Sequence, residues 1–207
     1  MSNFTYEFEN RRESLEMYEW DNVWWEHADK SDITRVLYVG DSISCATRNV
    51  ATQSSGNTIF FDGFGTSKAV DNPFFAPSVR MFAQQEGYRS AIVFNSGLHG
   101  WHLEDETEYR KGYEGMIKFF LKEFPNTPLL LALTTAVRNE ERNNRAVIRN
   151  KVVTGLAEQY KLPTIDFYSI TDSHRDLISN DGVHLVAEGY KLLADELVAN
   201  VKKVIEK

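Results

Sequence analysis

Short apolar runs alternate along this chain with longer stretches in which apolar residues recur every three or four positions. The first run, Thr34-Arg35-Val36-Leu37-Tyr38-Val39, stops at Gly40, and similar runs follow at Thr58–Phe61, Ala91–Phe94, Leu129–Leu133 and Thr164–Tyr168. Runs this short, with hardly a polar break, suit strands buried on both faces of a parallel sheet. The stretches between them predict helices over Ser42–Val50, from Pro73 to about Glu86, from about Glu106 to Phe124, over Asn144–Tyr160 and from about Ala187 to Val204. In the third of these, Tyr109, Tyr113, Met116, Ile117, Phe120 and Phe124 fall on one face, as do Tyr190, Leu193, Leu197 and Val201 in the last. Pro73 suits a first helical turn, and Gly87 a stop.

Strands separated by whole helices need right-handed crossovers, so the expected fold is α/β: a three-layer α/β/α sandwich on a five-stranded parallel sheet. Its expected strand order is flavodoxin-like, 2-1-3-4-5. Ligands of such sheets sit at the carboxyl ends of the strands, which directs attention to the loops 40–44, 62–72, 95–105, 134–142 and 169–184. Residues 1–30 do not share the pattern. They are rich in acids and aromatics, with Tyr18, Trp20, Trp24 and Trp25 close together. We expect an arm over 1–30 that packs its aromatics on a domain spanning 31–207; a wall of a binding site or a dimer contact are the open alternatives.

The length of 207 residues suits one domain. A net charge of −7 without a basic patch argues against a nucleic-acid partner. No run approaches the roughly 18 apolar residues of a membrane span, and the first residues lack the basic-then-apolar order of a secretory signal, so the expected location is cytoplasmic. The single cysteine, Cys45, excludes an intramolecular disulfide and a multi-cysteine metal site, and we read it as an inert thiol.

Two short motifs fall where the fold rule points. Gly40-Asp41-Ser42-Ile43 follows the first strand and opens a helix. A serine there lies among unpaired backbone N–H groups that can hold an oxyanion, although Asp41 or Ser42 can also be a plain helix cap. Asp181-Gly182-Val183-His184 precedes the last helix. A histidine three residues after an aspartate on a turn can be held by that carboxylate at one nitrogen and take a proton at the other; a capped turn is the alternative.

Together the motifs resemble the SGNH/GDSL hydrolase family, over about residues 33–204. The resemblance implies ester hydrolysis through a serine acyl-enzyme, with Ser42 as nucleophile, His184 as general base and Asp181 as the carboxylate that orients it. It implies no cofactor and no metal. It also implies further oxyanion donors: a backbone glycine after the second strand, for which Gly65 is chosen over Gly63, and an asparagine after the third. There the chain reads Asn95-Ser96-Gly97-Leu98-His99-Gly100-Trp101-His102, which puts His99 at the asparagine position and leaves Asn95 as a competitor. This variant loop resembles that of some carbohydrate-directed esterases. Trp101 and His102 become candidates for the pocket wall, and Arg138 for binding an anionic group or pairing with Glu140 or Glu141. Arg142, Arg145 and Arg149 have helical spacing and read as a solvated face. The expected substrate is a small-molecule or carbohydrate ester, most simply an O-acetyl ester. Two other readings stay open: a metal-dependent phosphoesterase using His99, His102, Asp181 and His184, and a sugar-binding module without catalysis.

Overall fold

The computed structural model of the protein describes residues 18–85 and 87–206. A sheet of six strands runs through it: β1 (Asp21–Trp24), β2 (Thr34–Gly40), β3 (Ile59–Thr66), β4 (Ala91–Phe94), β5 (Leu129–Ala132) and β6 (Thr164–Ile165). Their spatial order is β1-β3-β2-β4-β5-β6. From β3 to β6 every neighbouring pair is parallel, in the order expected of the five apolar runs. The expectation of five strands, all parallel, is corrected at one edge, where β1 pairs antiparallel with β3 from Asp21 opposite Thr66 to Trp24 opposite Gly63. β1 is four residues long, half polar and exposed throughout, so no apolar run announces it.

Helices cover both faces: α1 (Ser42–Ser54), α2 (Phe75–Ala83), α3 (Glu106–Glu123), α4 (Glu140–Tyr160), α5 (Phe167–Ser173) and α6 (Ala187–Ile205). The strands explain their own sequence. Successive residues point to opposite faces, and both faces are dry. Val36, Tyr38, Ala91, Val93, Leu130 and Ala132 meet α1 and α6 residues such as Ile43, Leu193 and Leu197 on one face. Leu37, Val39, Ile92, Phe94, Leu129 and Leu131 meet Phe75, Tyr113, Phe120 and Leu156 of α2, α3 and α4 on the other. No helix among the described residues is long and apolar enough to cross a membrane.

Several boundaries differ from expectation for local reasons. The run Thr164–Tyr168 is a strand only to Ile165, because the Asp166 carboxylate accepts the Ser169 N–H at 2.9 Å and starts α5. Asn139 does the same for α4, accepting the Arg142 N–H at 3.0 Å, so that helix begins at Glu140 rather than Asn144. Helix α2 starts two residues after Pro73 and ends at Ala83; Glu86, like residues 1–17 of the expected arm and Lys207, lies outside the described residues.

The segment that joins β1 to β2 is held by a buried ion pair. Arg35 and Asp62 lie on paired strands, with Arg35 Nη1 2.8 Å from Asp62 Oδ1. The same guanidinium donates to the carbonyls of Glu26, His27 and Lys30, and Asp62 Oδ1 accepts the Glu26 N–H at 2.9 Å. Removing one partner leaves the other charged and dry, so Asp62→Ala should cost about 3–5 kcal/mol. Urea denaturation checks this. A loss below about 1 kcal/mol would mean that water reaches Arg35.

Candidate active site

The serine motif sits where β2 becomes α1. At Gly40 a Cβ would lie 2.7 Å from Ser44 Cβ, so a side chain there would collide with the first turn of the helix. Asp41 is the cap: its Oδ1 accepts the Ile43 N–H at 2.9 Å. The capping role therefore falls to Asp41, and the Ser42 hydroxyl is left to donate to His184 Nε2 at 2.8 Å. Burial pushes the Asp41 carboxyl above its ordinary range, with His99 and His184 pulling the other way. Burial also pushes the Cys45 thiol up, consistent with an inert group.

His184 arrives on a short hairpin before α6. Ile178 bridges Leu185, the Ser179 N–H donates to the His184 carbonyl at 2.7 Å, and Gly182 turns the chain at φ +79°, a conformation glycine adopts without strain. Asp181 Oδ2 accepts from His184 Nδ1 at 2.7 Å. Its Oδ1 accepts the N–H groups of Val183 and His184, each at 2.9 Å, and the Ser179 hydroxyl at 2.8 Å. These donors, the Val183 N–H foremost, hold the carboxyl well below the usual carboxylate range. An ionised Asp181 only accepts, which places the proton on His184 Nδ1 and leaves Nε2 to receive the one from Ser42.

Ser42, Asp181 and His184 line a cavity of about 290 Å³ together with Leu98, His99, Trp101, Val137, Arg142 and Val183. Of the sequence candidates, His99 and Trp101 are thus brought to the serine. Gly65, Asn95 and Arg138 do not line the cavity. Gly65 stays inside β3, paired with Gly40 of β2 on one side and Asn22 of β1 on the other; a Cβ there would lie 2.1 Å from Cys45 Sγ, so its smallness lets α1 approach the sheet. Asn95 donates to the Ala132 carbonyl at 2.8 Å and ties β4 to β5. Arg138 pairs with neither Glu140 nor Glu141: its guanidinium donates to the Ile178 carbonyl at 2.5 Å and its N–H to the Gly182 carbonyl at 2.8 Å, so it braces the hairpin. His102 bonds Asp71 at 2.9 Å. Among the described residues no three His, Cys, Asp or Glu side chains group as metal ligands would, so the four residues of the metal reading do not form a set.

Within the arginine series Arg142 is exposed as expected, Arg145 is half-buried, and Arg149 is the largest departure from expectation. Arg149 is 2% exposed, not solvated. It donates to the carbonyls of Gly97, His99 and Gly100 at 2.6–2.9 Å and to that of Leu103 at 3.4 Å. Arg145 donates to the Trp101 carbonyl at 2.7 Å, and the Tyr109 hydroxyl to that of Ser96. Side chains of α3 and α4 thus hold the irregular loop that carries His99 and Trp101. The guanidinium groups of Arg142, Arg145 and Arg149 lie 5.0, 5.2 and 5.6 Å from the Trp101 ring centre. A helical repeat of arginines beside a glycine-rich, unpaired loop is the sequence signal for such a clamp.

The arm reaches the site as well. The Trp20 N–H donates to the Ser67 hydroxyl at 2.8 Å and the Ser67 N–H to the Trp20 carbonyl at 3.1 Å, and the Trp20 ring meets the His99 ring edge-on, with centroids 5.9 Å apart. Trp25 stacks on Phe82 at 3.9 Å, whereas Tyr18 and Trp24 are exposed.

Arg149→Met should destabilise the protein by about 2–4 kcal/mol, since buried carbonyls lose their donor. The loop 97–103 should become the first site of limited proteolysis; unchanged melting and cleavage would refute the clamp. Asp181 gives a pH signature. A depressed carboxylate stabilises the fold fully above its unfolded pKa, and that stability is lost as pH falls through the lower folded value. The difference in Tm between wild type and Asp181→Asn should therefore persist from neutral pH down to the ordinary aspartate range and shrink only below it. A difference that disappears between pH 7 and 5 would contradict the hydrogen-bond count.

No family model and no curated protein sequence matches the chain. Solved structures do. A lipase/acylhydrolase from Enterococcus faecalis superposes with a TM-score of 0.65 at 16% identity, covering 83% of this chain and 96% of its own. The acetyl xylan esterase AlAXEase gives 0.64 at 19% identity, with 81% and 99% covered. A carbohydrate esterase family 3 protein from Talaromyces cellulolyticus gives 0.67 at 14% identity, with 84% and 99% covered. At these identities the likeness is one of fold, and the chain has the fold of these acylhydrolases and acetyl esterases, as its resemblance to the SGNH/GDSL hydrolases implied.

Proposed function

We propose that this protein hydrolyses a small acyl ester, an O-acetyl group on a carbohydrate or a similarly polar metabolite, through a serine acyl-enzyme. The observation that carries the reading is the unbroken relay from Ser42 Oγ through His184 to Asp181 at the wall of a cavity.

In this reading His184 Nε2 takes the hydroxyl proton as Ser42 Oγ attacks the ester carbonyl. The carbonyl oxygen becomes an oxyanion beside the start of α1, where the Ser42 N–H has no carbonyl of its own helix to pair with. The helix dipole favours negative charge at that end. His99 is the side-chain donor of the same hole, in place of an asparagine. The imidazolium of His184 then protonates the leaving alcohol as the C–O bond breaks. Water, deprotonated by the same nitrogen, attacks the acyl-enzyme and releases the carboxylic acid with Ser42 restored. Asp181 keeps the imidazole oriented and steadies its positive charge throughout. The apolar walls Leu98, Val137 and Val183 suit a short acyl group, and no cofactor enters the cycle.

Wild type should hydrolyse p-nitrophenyl acetate faster than the butyrate. Ser42→Ala should lose about 10⁴-fold or more of kcat, and Asp181→Asn about 10⁴-fold. His99→Ala should lose about 10²–10³-fold of kcat, the usual effect of one oxyanion donor. Stopped spectrophotometric assays read all four. Activity retained by Ser42→Ala would remove the acyl-enzyme mechanism, and full activity in His99→Ala would move the oxyanion hole elsewhere.

A further inference from the structure

Four arginines surround the variant loop and the cavity, and three of them are committed to backbone carbonyls. Arg138 holds Ile178, Arg145 holds Trp101, and Arg149 holds the stretch from Gly97 to Leu103. Arg142 differs. Its guanidinium makes no hydrogen bond or ion pair among the described residues, although Glu140 and Glu141 stand beside it on α4. It lies over the Trp101 ring, 5.0 Å from the ring centre, and both residues line the cavity with Ser42 and His184, Arg142 from an exposed position.

The other charges nearby do not neutralise it. Asp181, the carboxylate that lines the cavity, has both oxygens engaged, by His184 on one side and by Val183, His184 and Ser179 on the other. Asp41 is buried and caps α1. The cavity therefore carries at its solvent-exposed edge a cation with no hydrogen-bond or ion-pair partner among the described residues, in a chain whose net charge of −7 otherwise repels anions. Stacking on an indole leaves the in-plane N–H edge of a guanidinium open, and that edge matches the two oxygens of a carboxylate. A phosphate dianion would bring a second charge next to Asp181 and further acceptors, while the neighbouring Arg145 and Arg149 already spend donors on backbone carbonyls.

Building on the ester-hydrolase reading, we infer that the natural substrate carries a carboxylate close to its ester, and that Arg142 is the residue that selects it. Binding of that carboxylate positions the ester carbonyl over Ser42, and esters without it are poorer substrates.

The test compares meta- and para-acetoxybenzoate with the corresponding neutral acetoxybenzamides, and includes acetoxyphenyl phosphate. For wild type the better benzoate isomer should exceed its amide in kcat/KM by about tenfold or more, a single charge-assisted contact. The ratio should fall to about one in Arg142→Gln, mainly through KM, and be intermediate in Arg142→Lys, which keeps the charge and loses the fork. Equal rates on acid and amide, or a preference that survives Arg142→Gln, would overturn the inference. A preference for the phosphate over the benzoate would overturn the choice of carboxylate. Absence of turnover on every ester, p-nitrophenyl acetate included, would instead fail the hydrolase reading. Calorimetric binding to Ser42→Ala then decides the present point by itself. Tighter binding of benzoate than of benzamide, lost in Ser42→Ala/Arg142→Gln, supports it, and equal binding rejects it.

Discussion

A backbone carbonyl withdrawn from water needs a donor, and the loop after β4 has neither helix nor ladder to supply one. Here the supply comes from side chains of two helices packed on the same face of the sheet. Arg149 serves four carbonyls, Arg145 and Tyr109 one each. A guanidinium suits the task because it presents several donors in one fixed plane and cannot lose its charge at accessible pH. Everything distinctive about the site hangs from this loop: His99 beside the serine, Trp101 as a wall, and Trp101 in turn as the platform on which Arg142 lies. The position of Ser42 needs only a strand, a glycine and a capped helix. Its surroundings need α4.

That division explains what could be read from the residues alone. The parallel core was legible because strands dry on both faces leave near-continuous apolar runs, and Ser42, Asp181 and His184 because each lies in a short motif at a position the fold rule favours. Long-range partners leave no such trace. Arg149 meets Gly97 across 52 positions, and its spacing with Arg142 and Arg145 looks like an ordinary wet helix face until the loop is laid against it. Arg138 read as an anion contact, or as a partner of Glu140 or Glu141, because it follows β5, yet the hairpin carbonyl that claims it lies 40 residues away. β1 and the Asp166 cap were hidden for a different reason: both depend on polar groups finding backbone partners, which hydrophobic pattern does not encode.

The edge strand changes how the second loop is built. β1 pairs with β3 one residue beyond the Gly40–Gly65 pair of β2, which extends the ladder to Thr66. The same pairing carries Trp20 to the ring of His99, so a segment outside the sequence-defined domain touches a residue of the site. The buried Arg35–Asp62 pair anchors the far end of that segment at Glu26–Lys30. The sheet edge thus ties the segment from Trp20 to Lys30 to the residue His99 of the cavity wall.

The hydrogen bond between Ser42 and His184 joins residues 142 positions apart. Ser42 lies in the first helix and His184 just before the last, so nearly the whole domain must assemble before the two can meet. Contacts of such separation form late, after the closure entropy of the intervening chain has been overcome. All six described strands precede His184 in the chain, so during synthesis they are available for pairing while the serine still lacks its histidine. The Ser42–His184 contact thus waits for the segment that leads into the final helix to dock, which places it among the last contacts of folding.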